Sequence, residues 1–129
     1  MRSDYGSTWQ GEVIIRNCVL KPSQAKKDNI AIFGGNNSGN HDFGYTCYMP
    51  ERITITNLRI EDTNQPANEN GPAIFDNFNP KMTDTSFVEQ FPYIKTKEVM
   101  LKNVTTASGK NLRISDNDFM FKDVKVMSK

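Results

Sequence analysis

The stretch Glu51-Arg52-Ile53-Thr54-Ile55-Thr56-Asn57-Leu58-Arg59-Ile60 alternates apolar and polar residues up to an asparagine, then resumes with apolar side chains at 58 and 60. Such alternation puts successive side chains on opposite faces of a strand. The same phrase occurs before it, as Val13-Ile14-Ile15-Arg16-Asn17-Cys18-Val19-Leu20. It occurs twice after it, as Val99-Met100-Leu101-Lys102-Asn103-Val104 and Phe119-Met120-Phe121-Lys122-Asp123-Val124-Lys125-Val126. Counted from the first apolar residue of each phrase, the steps are 40, 46 and 20 residues. Recurrence of one strand phrase points to a repeat architecture before any catalytic motif is considered.

Within each phrase, Val13 and Ile15, Ile53 and Ile55, Val99 and Leu101, and Phe119 and Phe121 share a face. By the same period Asn17, Asn57, Asn103 and Asp123 are expected to point inward, where amides need partners. Asn and Asp tolerate the left-handed backbone that a sharp bend requires. The expectation is a bend at each of the four, strand resuming at Cys18, Leu58, Val104 and Val124, and Asn side chains satisfying one another from level to level. The connecting segments also match: Asn29-Ile30-Ala31-Ile32-Phe33-Gly34, Gly71-Pro72-Ala73-Ile74-Phe75-Asp76 and Asn111-Leu112-Arg113-Ile114-Ser115-Asp116 hold equivalent places. Each unit then reads strand, Asn bend, strand, loop, short strand, loop. The fold class expected is all-β, a solenoid of about three to four coils with parallel strands about 4.8 Å apart and two long loop insertions, in a single domain over residues 1–129.

On these phrases the chain resembles part of a right-handed parallel β-helix of the pectate-lyase-like class, whose coils repeat an apolar-x-apolar-x-Asn phrase with asparagine ladders at the bends. The resemblance covers most of residues 11–126, at the level of coil pattern. It implies a groove on one coil face, with lyase or glycoside hydrolase activity on acidic or neutral polysaccharide. Lyases of this class use calcium held by Asp side chains and an Arg or Lys base; the hydrolases use several converging Asp side chains, as paired-carboxylate chemistry requires. The class motifs N-T-D, D-D, G-H-G, R-I-K and R-x-P-x-x-R do not occur here. A fold of this kind says little about function by itself. A flat antiparallel sandwich is the competing fold, since short, regularly spaced strands also suit it.

The formal charge of +1 offers no polyelectrolyte argument for nucleic acid. No run of about 18 apolar residues indicates a membrane span. Met1-Arg2-Ser3-Asp4 is too polar for a signal peptide, and with no capping helix before the first phrase, the expectation is a fragment of a longer, exported protein, placed outside the cytoplasm. Cys18 is expected as a buried thiol packing like a small hydrophobe. A Cys18–Cys47 disulfide is the alternative, and two Cys with one His fall short of a structural zinc site.

Candidate functional residues lie in the loops. Residues 34–50 carry glycines, three aromatics and the only histidine, His41, beside Asp42. Long loops with their own packing residues are often working loops; the competing reading lays Tyr45 and Tyr48 on the coil and leaves His41 solvated. Asp42, Asp76 and His41 are the candidate catalytic residues, Asp76 because it ends a short strand facing a loop. Trp9, Tyr45, Tyr48 and Tyr93, with Tyr5, are the candidate sugar-stacking faces, although Trp9 also suits a cap on the open end of the coil. Tyr93, six residues before Val99, is matched with Tyr48, five before Ile53. Glu61, Asp62 and Glu69 are the oxygen ligands a calcium ion would need, without a D-x-D-x-D spacing. Ser86-Phe87-Val88-Glu89 has capping-box spacing for one helical turn.

Three functions compete: a polysaccharide lyase or hydrolase segment, a non-catalytic glycan-binding or adhesion segment, and a purely structural piece. Under all three the first and last coils expose strand edges. The chain is therefore expected either to pair end to end with another copy or to belong to a longer solenoid.

Overall fold

The computed structural model describes residues 1, 8–22, 30–34, 44–63, 70–76 and 94–129. Its elements are β1 (Glu12–Leu20), β2 (Ala31–Phe33), β3 (Arg52–Ile60), β4 (Ala73–Phe75), β5 (Glu98–Thr106), α1 (Asp118–Phe121) and β6 (Lys125–Ser128). The described chain is all-β apart from the single turn α1. Its strands form a four-stranded sheet in the order β1-β3-β5-β6 and a two-stranded sheet of β2 and β4. Every pairing is parallel, which rules out the antiparallel sandwich. Among the described residues no helix is long and apolar enough to cross a membrane.

The register follows the repeated phrase. Val13 pairs with Ile53, and Ile53 with Val99; Ile15, Ile55 and Leu101 form the next column. On β3 the alternation is realised in full, with Ile53, Ile55, Leu58 and Ile60 buried and Arg52 and Arg59 exposed. The shorter segments stack as their sequences match: Ala31 on Ala73, Phe33 on Phe75, and Ala73 on Arg113. A third column precedes the long strands, where Thr8 bridges Tyr48 and Tyr48 bridges Ile94. The core lies between these columns and includes Phe33, Phe75, Ile53, Ile55, Ile60 and Val99.

Asn17, Asn57 and Asn103 each adopt a left-handed backbone, with φ of 56°, 54° and 51°. Asn57 Nδ2 donates to Asn17 Oδ1 at 2.9 Å, and Asn103 Nδ2 donates to Asn57 Oδ1 at 2.8 Å. The bends and the ladder are as expected, but the amides are exposed, not buried. The left-handed bend breaks the two-residue period, so the amide line runs along the outer corner of the chain. Buried Asp62 makes a second tier-to-tier link, accepting from Ser108 N at 2.8 Å and Ser108 Oγ at 2.6 Å. Gly71 sits at φ +94°, and a Cβ there would lie 2.6 Å from the Asn111 carbonyl oxygen in the tier above. Close approach of two backbones thus requires glycine. Arg113 spans the same junction, donating to the Gly71 carbonyl through Nη2 at 2.9 Å.

The fourth phrase does not fold as expected. Phe119 does not lie over Val99; Val126 does, a step of 27 residues, and Met100 and Leu101 pair with Met127 and Ser128. Residues 118–121 form α1 because Asn117 caps it, its Oδ1 accepting from Met120 N at 3.0 Å. Lys95 Nζ donates to the Met120 carbonyl at 2.7 Å. The turn drops Met120 and Phe121 into the core, where Phe121 stacks on Phe75 at 4.4 Å between centroids and 5° between planes. Asp123 accordingly makes no fourth left-handed bend, and Val124 is a buried residue between helix and strand rather than the start of one.

Cys18 is exposed rather than buried, and Cys47 is the buried cysteine; both remain thiols, so they are not bridged. Cys18 occupies the column of Leu58, but β1 is the edge strand and no described strand lies below it. The segment 86–89 lies outside the described residues.

Among the described strands only β3 and β5 have strands on both sides, so truncations there remove contacts from two tiers. Ile55→Ala is expected to cost about 2–5 kcal/mol in denaturant unfolding, and Val126→Ala, at a position already 36% exposed, distinctly less. Asn57→Gly keeps the left-handed bend and loses the ladder, whereas Asn57→Ala loses both. The alanine variant is expected to be less stable than the glycine variant by about 1 kcal/mol.

Candidate functional site

The entry into the long strands is where the described chain gathers polar and aromatic groups. Tyr48 is held between Thr8 and Ile94, and its carbonyl accepts from Trp9 N at 3.2 Å. Met49 N donates to the Ile94 carbonyl at 2.8 Å, completing the step from one tier to the next. Beside this column runs a groove of about 200 Å³, lined by Gln10, Gly11, Tyr48, Met49, Glu51 and Lys97 with Ile94. Trp9, in sequence next to Gln10, is 37% exposed; Tyr45 is 43% exposed.

The groove wall carries an ion pair between tiers. Lys97 Nζ lies 3.0 Å from Glu51 Oε1, and Arg52 pairs in the same way with Glu98. Lys97 holds the Glu51 carboxyl below its ordinary value of 4.5, chiefly by hydrogen bonding and then by its charge. The hydrogen bond and charge of Glu98 raise Arg52 above its usual range. Glu51 and Lys97 were not among the expected site residues. The signal was present: they stand two residues before Ile53 and Val99, with opposite charges at the same place in the phrase. Arg52 and Glu98, one residue before, repeat it.

Of the expected catalytic residues, His41 and Asp42 lie outside the described residues. Asp76 sits at the end of β4, in a different column from the groove; its N–H donates to the Phe33 carbonyl at 2.8 Å and its carbonyl accepts from Ser115 Oγ at 3.0 Å. Of the expected stacking residues, Tyr48 lines the groove, Trp9 bonds to the Tyr48 backbone and precedes the lining residue Gln10, Tyr45 lies three residues before Tyr48, and Tyr5 and Tyr93 lie outside the described residues. Ile94 bridges Tyr48, and it stands five residues before Val99 as Tyr48 stands five before Ile53. Of the carboxylates named for calcium, Asp62 accepts from Ser108 through both oxygens, Glu61 pairs with Arg59 at 2.7 Å, and Glu69 lies outside the described residues. Among the described residues no three Asp, Glu, His or Cys side chains gather as metal ligands would.

No family model, curated protein or solved structure matches the chain.

The lowered Glu51 carboxyl has a defined pH consequence. A folded-state value below the unfolded one contributes stability above the unfolded value and loses it as pH falls through the folded one. Carboxyl NMR titration is expected to place Glu51 below 4.5. Replacing its partner, Lys97→Met, is expected to move that midpoint back upward; an unmoved midpoint would remove Lys97 as the cause.

Proposed function

We propose that the chain is a right-handed parallel β-helix of the pectate-lyase-like class, exported and carbohydrate-active, and that the groove beside Tyr48 binds glycan without cleaving it. The carrying observation is the juxtaposition of Gln10, Tyr48, Glu51 and Lys97 in one shallow groove, next in the chain to the exposed indole of Trp9. An aromatic face with a few convergent polar groups is the usual composition of a small-ligand site. Gln10 offers an amide, Glu51 acceptor oxygens and Lys97 donors, a set matched to sugar hydroxyls. The groove's two charges offset each other, which favours a neutral saccharide over a polyanionic one.

Cleavage is the weaker reading for this groove. Glycoside hydrolysis needs a carboxylic acid to protonate the leaving group and a second carboxylate within about 5–10 Å. Glu51 is held in its charged form by Lys97, the reverse of what a proton donor needs. Its pairing suits positioning and hydrogen bonding.

The test is a glycan array carrying neutral and acidic oligosaccharides, followed by affinity electrophoresis on the polymers that score. Binding is expected, to be lost about tenfold in Trp9→Ala and retained in Asp76→Asn. A blank array would leave only the structural role. Polymer shortening by the wild-type chain that disappears in Asp76→Asn would replace binding by catalysis.

A further inference from the structure

We propose that β1 is a self-recognition strand, and that two copies of the chain join through it in antiparallel pairing centred on Ile14. The proposal rests on the described edge of the sheet and is independent of the glycan reading.

β1 ends the sheet, with β3 on one side and no described strand on the other. The Gly11 carbonyl accepts from Glu51 and Arg52, so it points toward β3, and so by alternation do the N–H and C=O groups of Val13 and Ile15. Those of Glu12, Ile14 and Arg16 face the open edge. The Arg16 carbonyl accepts the Cys18 thiol at 3.2 Å there, a weak bond that a partner N–H would outcompete. The opposite edge differs. β6 has four residues, and Lys125 and Lys129 bracket it, the usual protection against strand addition. β1 has nine residues and contains no lysine, and Ile14 and Val19 are 59% and 55% exposed.

The straight arm of β1 is self-complementary. Left-handed residues bound it at both ends, Gly11 with φ 85° and Asn17 with φ 56°, and Ile14 lies midway between them. Antiparallel pairing about Ile14 sets Glu12 opposite the partner copy's Arg16, and Arg16 opposite its Glu12. Ile14 meets its own counterpart on the outer face. Val13 meets Ile15 on the inner face, so both charge and hydrophobicity are matched by one two-fold axis. The residues that face each other in this register are those whose backbone groups point to the edge, as hydrogen-bonded antiparallel pairs require. Below β1 the interior opens as a cavity of about 560 Å³, lined chiefly by Val13, Ile15, Cys18, Leu20, Ala31 and Ile32. The second copy would close it with the same apolar residues. A second copy is thus the occupant the edge fits.

Sedimentation equilibrium of the whole chain is expected to give a dimer at micromolar concentration. Glu12→Arg and Arg16→Glu, which set like charges opposite each other, are each expected to weaken it about tenfold, and the double exchange to restore it. Circular dichroism checks that each variant retains its strands. In a Cys18→Ser background, Ile14→Cys is expected to form an intermolecular disulfide under mild oxidation, because hydrogen-bonded antiparallel partners lie about 5.5 Å apart at Cα. Glu12→Cys alone is expected to form none, and Glu12→Cys mixed with Arg16→Cys to form the mixed dimer. A monomer throughout, or a dimer indifferent to both charge reversals and lacking the Ile14→Cys cross-link, overturns the proposal.

Discussion

The structure depends on a bend made the same way three times. At Asn17, Asn57 and Asn103 the backbone enters a region that most L-residues avoid at a cost of about 1–2 kcal/mol, and each asparagine then bonds to the one in the next tier. Conformation and hydrogen bonding thus favour the same residue at the same place. Because the amides join tiers as well as turning the chain, the bend fixes register: a one-residue slip would break the ladder and expose the inner face of the strand.

Around that corner the tiers hold one another unequally. Ile53 and Ile55 are fully buried, while Val13 and Ile15, in the same columns at the edge, are only half-buried. Each buried aliphatic is worth about 1.5–3 kcal/mol, so the difference between a middle and an end tier is large compared with the marginal stability of a small domain. The aromatic column runs Phe33, Phe75, Phe121, and in the last tier a helical residue fills it. The interior therefore demands a ring at that position more strictly than it demands a strand to carry it.

That distinction explains what could be read from the residues alone. The columns Val13–Ile53–Val99 and Ala31–Ala73–Arg113 were legible because alternation, an asparagine and repeated neighbours agree there. The last tier was not, because Phe119-Met120-Phe121-Lys122-Asp123-Val124 matches Val99-Met100-Leu101-Lys102-Asn103-Val104 position for position while Asn117, two residues before Phe119, supplies a helix cap. Local hydrogen bonding prevailed over hydrophobic period. Inward placement of the asparagines and of Cys18 failed for a related reason: the period does not survive a left-handed bend, and burial at an edge depends on a neighbour that the phrase cannot specify. At the candidate site the aromatics Trp9 and Tyr48 stood out by type. The Glu51–Lys97 wall did not, since its members are 46 residues apart and meet only once the tiers are in register.

The returns between equivalent residues differ widely, 40 residues from Val13 to Ile53, 46 to Val99 and 27 to Val126, yet the columns they connect stay aligned. Closing a longer excursion costs little, because the entropy penalty grows only with the logarithm of its length. The scaffold and its excursions are therefore nearly separable in design: foreign peptides grafted between the columns would inherit a fixed, repeating platform, and their length would be set by what they must reach.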